Sequence, residues 1–348
     1  MTRSATSDAA SDPEAGVVVI GRNEGQRFQI CLKSLVAQAT RIVYVDSGST
    51  DGSVAFAVGH GVDVVELDMR QAFTMARGRN AGFQRLTELY PDTKYVQFVD
   101  GDCELLESWM ARAQAELQEH SDIAIVCGQR CERYPDASVY NRLCDMEWNA
   151  SPGEARACGG DFMIRVEAFK SVNGFNAAMI AGEEPELCVR LRHRGWKILQ
   201  LADDMTLHDV AMMRFRQFWR RGVRCGHAYA EGAWLQGQKP ERHNVRPLCS
   251  AVFWGLLLPI TVILAVIVGT VWNGAGFVVA GMLATGYLVL WSRIYRSRRA
   301  TGDSKRHSCL YGVFVIVQKS AEAVGILLFG MNLLRGKRSE LIEYKSAA

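Results

Sequence analysis

The triplet Asp100-Gly101-Asp102 follows the apolar run Tyr95-Val96-Gln97-Phe98-Val99. Two carboxylates separated by one small residue at the end of a buried strand offer hard oxygen ligands to a divalent cation, Mn2+ or Mg2+. Such an ion can bridge the two phosphates of a nucleoside diphosphate. Further along, Glu183 and Glu184 precede the Leu187/Leu191 apolar pattern, and Pro185 suits the first turn of a helix. They read either as acidic residues favoured by the helix dipole or as a general base, since an attacking acceptor hydroxyl must pass its proton to a group within hydrogen-bond reach. His208, after Met205-Thr206-Leu207, is either a satisfied structural histidine or a nitrogen ligand to the same ion.

Three other stretches have the composition of a binding loop. Gly21-Arg22-Asn23-Glu24-Gly25 follows one apolar run, and Asp46 closes another. Behind Asp46, Ser47 to Ser53 exposes backbone N–H groups and hydroxyls able to meet a base, ribose or phosphate, although Ser49, Thr50 or Asp51 would equally cap a helix. In Arg77-Gly78-Arg79-Asn80 a guanidinium can reach a diphosphate or shield the acidic site; for Arg77 a solvated face is an equal reading.

The elements that would position these residues are legible as periodicity. Val17–Ile20, Ile42–Val45, Val62–Val65, Tyr95–Val99 and Ile123–Val126 are short, largely β-branched runs of the kind that form strands buried on both faces. Helical patterns lie between them at Gln26–Gln38, Arg77–Tyr90 and Glu107–Glu119. This alternation predicts a three-layer α/β/α domain with a mainly parallel sheet, whose ligands sit beyond the carboxyl ends of the strands, where the polar loops fall. The rhythm weakens over 128–210, where Trp148, Gly159-Gly160-Asp161 and Gly182 to Glu186 suggest the acceptor side of the same domain.

The chain has 348 residues, 49% of them hydrophobic, with a net charge of +3. From Pro247 to Ser292 there is no charged residue or histidine, enough for two helices of the roughly 20 apolar residues that cross a bilayer. The segment 249–292 reads as a transmembrane hairpin turning at Asn273-Gly274-Ala275-Gly276. Arginines crowd both flanks, so by the positive-inside rule both flanks are cytoplasmic. Leu310 to Leu334 is a third apolar stretch interrupted by Gln318, Lys319 and Glu322, with basic residues on either side. It reads as an interfacial or re-entrant amphipathic helix. The expected order is therefore a disordered leader (1–15), a catalytic domain (16–232), a juxtamembrane linker (233–248), the hairpin, a basic cytoplasmic linker (293–309), this helix (310–334) and a basic tail (335–348). The protein is expected at the inner (cytoplasmic) membrane, multi-pass, with its catalytic domain in the cytoplasm. The ten cysteines lack metal-type spacing and read as reduced thiols; the arginines lack the interleaved aromatics of a nucleic-acid surface.

Taken in order, Asn23-Glu24, Asp46-x-x-Ser49-x-Asp51-Gly52-Ser53, Arg79-Asn80-x-Gly82, Asp100-x-Asp102, Gly159-Gly160, Glu183-Glu184, Arg190-Leu191 and Gly195-Trp196 resemble glycosyltransferase family 2 over about residues 16–232. The resemblance implies a GT-A fold, a UDP- or GDP-sugar donor, Mn2+ or Mg2+, a lipid-linked or saccharide acceptor, and inversion at the anomeric carbon. By the same resemblance Asn23, Glu24, Asp46, Ser49, Asp51, Arg79, Asp100 and Gly101 would bind the donor. Asp100, Asp102 and His208 would hold the metal, Glu184 or Glu183 would be the base, and Trp148, Gly159, Gly160 and Asp161 would face the acceptor. Glu184 stands where the family often has Asp, and the extra methylene leaves open which glutamate acts. A processive polysaccharide synthase would share the domain, but Gln217-Phe218-Trp219-Arg220-Arg221 has Arg where such enzymes have Trp. A non-catalytic nucleotide-sugar-binding scaffold would not need the glutamates. A dinucleotide oxidoreductase would show G-x-G-x-x-G, absent from the first loop.

Overall fold

A computed structural model describes residues 14–148, 150–272 and 274–343. The expected leader lies largely outside them, as do Asn273 of the hairpin turn and residues 344–348 of the tail. The chain divides into two compact units, Met1–Met213 and Arg214–Ala348.

The first unit runs β1 (Ala15–Gly21), α1 (Gln26–Val36), β2 (Ile42–Asp46), α2 (Ser53–Gly59), β3 (Asp63–Glu66), α3 (Met75–Leu89), β4 (Tyr95–Asp100), β5 (Cys103–Leu105), α4 (Trp109–Glu119), β6 (Ile123–Glu132), α5 (Val139–Trp148), β7 (Gly153–Ala155), β8 (Phe162–Arg165), α6 (Val166–Ser171), α7 (Glu183–His193) and β9 (Lys197–His208). Among the described residues the strands form one sheet in the order β3-β2-β1-β4-β8-β6-β9-β5, with β7 on β9. The expected parallel order holds from β3 to β4. Beyond β4 the sheet is mixed, because β8 enters antiparallel to both β4 and β6. Periodicity reports which residues are buried; it carries no strand direction, and the short β7 and β8 lie where the alternation fades.

Local sequence accounts for the elements. Val17 to Val19 are fully buried, as a strand covered on both faces requires. In α1 the buried residues Phe28, Cys31, Leu32 and Leu35 recur at i, i+3, i+4 and i+7, one stripe of a 3.6-residue helix. Thr74 caps α3 by accepting the Arg77 N–H at 3.1 Å.

Strand register then aligns the chemistry. Gly21 pairs with Asp46 and Ile20 with Asp100, so the first, second and fourth loops leave one sheet edge together. Cys103 pairs with His208, and Glu132 pairs with His208 from the other side.

The second unit holds α8 (Phe215–Gln236), α9 (Val245–Val252), a π-helical turn (Phe253–Leu257), α10 (Leu258–Val271), α11 (Ala275–Ala300) and α12 (Lys305–Leu334). Three helices, Val245–Val271, Ala275–Ala300 and Lys305–Leu334, are long and apolar enough to cross a membrane. The division between units falls at Met213 rather than 232, because α8 packs along α12. The expected linker 293–309 is mostly helix: α11 continues to Ala300, and α12 begins at Lys305, where Ser304 caps it by accepting the His307 N–H at 3.1 Å. The polar interruption of 310–334 satisfies itself: Lys319 pairs with Glu322 at 2.7 Å and Gln318 donates to it at 3.2 Å, with Glu322 buried.

Candidate active site

Arg79 is the hub of the acidic residues. It leaves α3 fully buried, and its Nη2 donates to Asp100 Oδ1 at 2.7 Å. Its Nη1 lies 2.9 Å from Oε1 of both Glu183 and Glu184. One planar guanidinium thus joins the strand-end carboxylate to the glutamates in the first turn of α7, a geometry that lysine's point charge would not reproduce. The two glutamates differ in environment. Glu183 is buried, whereas the Glu184 side chain is 14% exposed. Burial first, then the neighbouring Glu183 charge, raise the Glu184 carboxyl to about 7, with Arg79 opposing.

A second arginine, Arg130 of β6, pairs with Asp161 at 2.8 Å and approaches Asp100 at 4.0 Å. Asp161 accepts the Asp100 backbone N–H at 2.9 Å and the Thr206 hydroxyl at 3.0 Å, so it holds the loop after β4 rather than facing outward. The glycine pair ahead of it has a steric reason: a Cβ on Gly160 would sit 2.6 Å from Asp100 Oδ2 and 2.7 Å from Arg79 Nη2. Gly101 donates to Ile20 O at 2.8 Å, and a Cβ there would meet that same oxygen at 2.9 Å. Gly159 lies beside Arg130, where a Cβ would be 3.5 Å from Nη2.

Asp102 turns the other way. Its Oδ2 is 3.1 Å from His208 Nε2, and both side chains are buried. Asp102, Cys103 and His208 place an oxygen, a sulfur and a nitrogen within 4.8 Å of one another. Carboxylate and imidazole suit Mn2+, and the two expected ligands fit such an ion. Burial, then the Asp161 charge, push the Cys103 thiol up. Asp100, expected as a third ligand, is outside this group, since its carboxylate faces Arg79. Glu132 Oε2 stands 3.8 Å from His208 Nδ1 and accepts the Val210 N–H, on the side of the ring away from Asp102. Trp148 packs edge-on against His208 with centroids 4.8 Å apart and lies 5.6 Å from the Arg130 guanidinium.

The two N-terminal loops hold each other. Asp46 is buried; its Oδ2 accepts the Gly48 and Ser49 N–H groups and its Oδ1 accepts the Tyr44 hydroxyl, all at 2.8 Å. Asn23 donates its N–H to Ser49 Oγ at 3.0 Å and accepts the Thr50 N–H at 2.7 Å. Asp51 accepts the Gly25 N–H at 2.7 Å. Burial favours its neutral form, but hydrogen bonds from Ser53 and Gly25 outweigh that and hold its carboxyl below the usual range. Glu24 pairs with Arg27 at 2.8 Å. Arg77 donates to the carbonyls of Gln71 and Asp68, away from the acidic cluster. Arg130, Glu132 and Cys103 belong to the site without having been singled out from sequence. Their one signal was position, at or after strands that end on the polar edge.

Residues 16–172 match the family model described as Glycosyl transferase family 2. A curated relative, the succinoglycan biosynthesis protein ExoA of Rhizobium meliloti (strain 1021), is 23% identical over 287 residues, covering 78% of this chain and 86% of the relative. Among solved structures the chain is similar to the mannosyltransferase PcManGT from Pyrobaculum calidifontis in complex with GDP-Man and Mn2+. The TM-score is 0.56 at 19% identity, over 92% of this chain and 90% of that one, which establishes the fold. Glucosyl-3-phosphoglycerate synthase from Mycobacterium tuberculosis, solved with Mn2+, UDP-Glc and glycerol 3-phosphate, aligns at TM-score 0.48 and 17% identity over 64% of this chain and 80% of that one.

Proposed function

The chain carries a glycosyltransferase family 2 domain on a GT-A fold, and from that premise we propose that it transfers a sugar from a UDP- or GDP-sugar to a hydroxyl of a saccharide or lipid-linked acceptor, with inversion, at the cytoplasmic face of the inner membrane. The observation that carries this reading is Arg79, which binds the strand-end Asp100 and both α7 glutamates in one cluster. A donor-side carboxylate and a base-side carboxylate are thereby fixed relative to each other before any substrate arrives.

Asp102 and His208 would hold Mn2+ or Mg2+. When bound, the ion supplies positive charge that stabilises the departing diphosphate. The protein's own residues do the rest. Arg79 pairs with Asp100 and with both glutamates of α7, and of those two glutamates only Glu184 is partly exposed, which makes it the one open to an acceptor. In the reaction the acceptor oxygen attacks the anomeric carbon, and its proton passes to Glu184. The bond from the anomeric carbon to the diphosphate oxygen breaks, its electron pair leaving with the nucleoside diphosphate. A carboxyl near 7 is suited to that base role at neutral pH. Asn23, Asp46, Ser49 and Asp51 build the first two loops, whose backbone would meet the nucleotide. Trp148 would flank the acceptor.

The test is turnover by detergent-purified full-length protein over a panel of nucleotide sugars, with Mn2+, Mg2+ or chelator and a membrane lipid extract, reading free nucleoside diphosphate and labelled product. Metal-dependent turnover of one donor, abolished in Glu184→Gln, is expected. Donor binding without turnover under every condition would instead make the protein a nucleotide-sugar-binding scaffold.

A further inference from the structure

By length and composition α12 ranks with the two hairpin helices as a membrane span. Its packing within the second unit says otherwise. Helix α12 lies against α9 and the π-helical turn, the start of the first apolar helix, and makes no comparable packing with α10 among the described residues. The contacts are close: a Cβ on Gly255 would be 1.9 Å from Lys319 O. On α11 it meets the basic end, where Trp291 Nε1 donates to Cys309 O at 3.2 Å and Arg298 lies over the Tyr311 ring at 4.8 Å. A third span would run beside the hairpin through its whole depth, whereas α12 touches its charged end.

From there α12 runs parallel to α8. Phe218 meets Phe314 with centroids 5.4 Å apart, and His227 meets Phe329 at 5.3 Å. Between these points the backbones nearly touch: a Cβ on Gly226 would be 1.9 Å from Glu322 O, and one on Gly325 would be 1.9 Å from Val223 O. The same stretch of α8 carries Arg220, Arg221 and Arg224. Any depth assigned to residues 314–329 of α12 is therefore the depth of three arginines, residues that the bilayer centre disfavours. On the remaining surface of α12, Val324, Leu327, Met331 and Leu334 are exposed at three- and four-residue spacing, 40%, 48%, 41% and 89%. They form one apolar stripe leading into the exposed Arg335, Lys337 and Arg338. High hydropathy all round α12 thus has two sources, one face on α8 and one unpartnered.

We propose that α8 and α12 form a platform lying in the headgroup region of the membrane leaflet, that α12 does not cross, and that Arg335, Lys337 and Arg338 bind anionic lipid headgroups beside the inserted stripe. The platform leaves two spans, with both flanks of the hairpin on one side of the membrane. It rests on the hairpin crossing the membrane and is independent of the transfer chemistry. An anionic leaflet attracts basic residues beside an apolar helix face, so the tail and the stripe act together.

Full-length protein fused at its C-terminus to GFP or to alkaline phosphatase tests the topology, with phosphatase inserted after Trp272 as reference. Fluorescent GFP, background phosphatase activity at the C-terminus and full activity at the reference position are expected. An active C-terminal phosphatase would mean three spans and overturn the platform. An inactive reference would instead refute the hairpin on which it stands. In vesicles, a fluorescent amino acid encoded at position 327 should be quenched more by shallow than by deep spin-labelled lipids, and more strongly in phosphatidylglycerol-containing than in pure phosphatidylcholine vesicles. Replacing Arg335, Lys337 and Arg338 by Ala should reduce the quenching in anionic vesicles to the phosphatidylcholine value. Deep quenching, or equal quenching in both lipids before the replacement, overturns the proposal.

Discussion

Arg79 Nη1 lies 2.9 Å from Glu184 Oε1, a contact between residues more than a hundred positions apart that crosses from α3 to the first turn of α7. The same guanidinium holds Glu183 at 2.9 Å, yet the two glutamates are not equivalent, since Glu183 is buried and Glu184 borders the open side. That asymmetry separates their expected phenotypes. Glu184→Gln should lower kcat about 10²–10⁴-fold, the usual worth of a general base, while leaving nucleotide affinity near the parent value. Glu183→Gln should lower the melting temperature more than Glu184→Gln does, because the charge it removes from the buried guanidinium is the more deeply buried of the two, at a cost of up to about 3–5 kcal/mol. Steady-state kinetics and thermal unfolding on both variants distinguish the roles.

The pH dependence follows from the same pair. Because the Glu184 carboxyl stands at about 7 and must be ionised to accept a proton, kcat should rise with pH up to about 7 and level off above it. Burial is the first cause of the shift and the Glu183 charge the next, so Glu183→Gln should move the acid limb to lower pH. A limb that stays in place in that variant would assign the titration to another group.

Metal binding should depend on Asp102 and His208 more than on Asp100. Asp102→Asn or His208→Ala is expected to weaken Mn2+ binding at least about 10-fold, measured by electron paramagnetic resonance of free Mn2+ with nucleoside diphosphate present. Asp100→Asn should weaken it less, because that carboxylate is engaged by Arg79. Equal losses in all three variants would show Asp100 to be a direct ligand.

Gly160→Ala places a methyl group 2.6 Å from Asp100 Oδ2 and 2.7 Å from Arg79 Nη2. Neither partner can withdraw without breaking the ion pair between them, so stability should fall by about 1–3 kcal/mol and turnover should fall with it. Chemical denaturation and kinetics on the one variant measure both.

Asp46 is expected to act through its loop. It accepts two backbone N–H groups and a hydroxyl while buried, so Asp46→Ala leaves Gly48, Ser49 and Tyr44 without that acceptor and should cost about 1–3 kcal/mol per group left unsatisfied. Nucleotide affinity should drop along with stability. Lost affinity at unchanged stability would instead indicate direct contact with the nucleotide.

Much of this protein was legible in the linear sequence because burial imposes a period on it. The β-branched runs marked β1, β2 and β4, the stripe of Phe28, Cys31, Leu32 and Leu35 marked α1, and the charge-free stretch after Pro247 marked two apolar helices. Motif order pointed to the family. Tertiary structure alone decided what depends on strand direction and register. The antiparallel entry of β8 sets Asp161 under Asp100, and the pairing of β5 and β6 with β9 brings Asp102 and Glu132 to His208. Arg130 and Glu132 belong to no motif and stand out only once β6 is placed. Hydropathy likewise found α12 and could not say what covers it, since an apolar side chain buried on α8 and one facing lipid read identically along the chain. Their difference lies in which backbone approaches Gly226 and Gly325, a contact between residues about a hundred positions apart that folding alone creates.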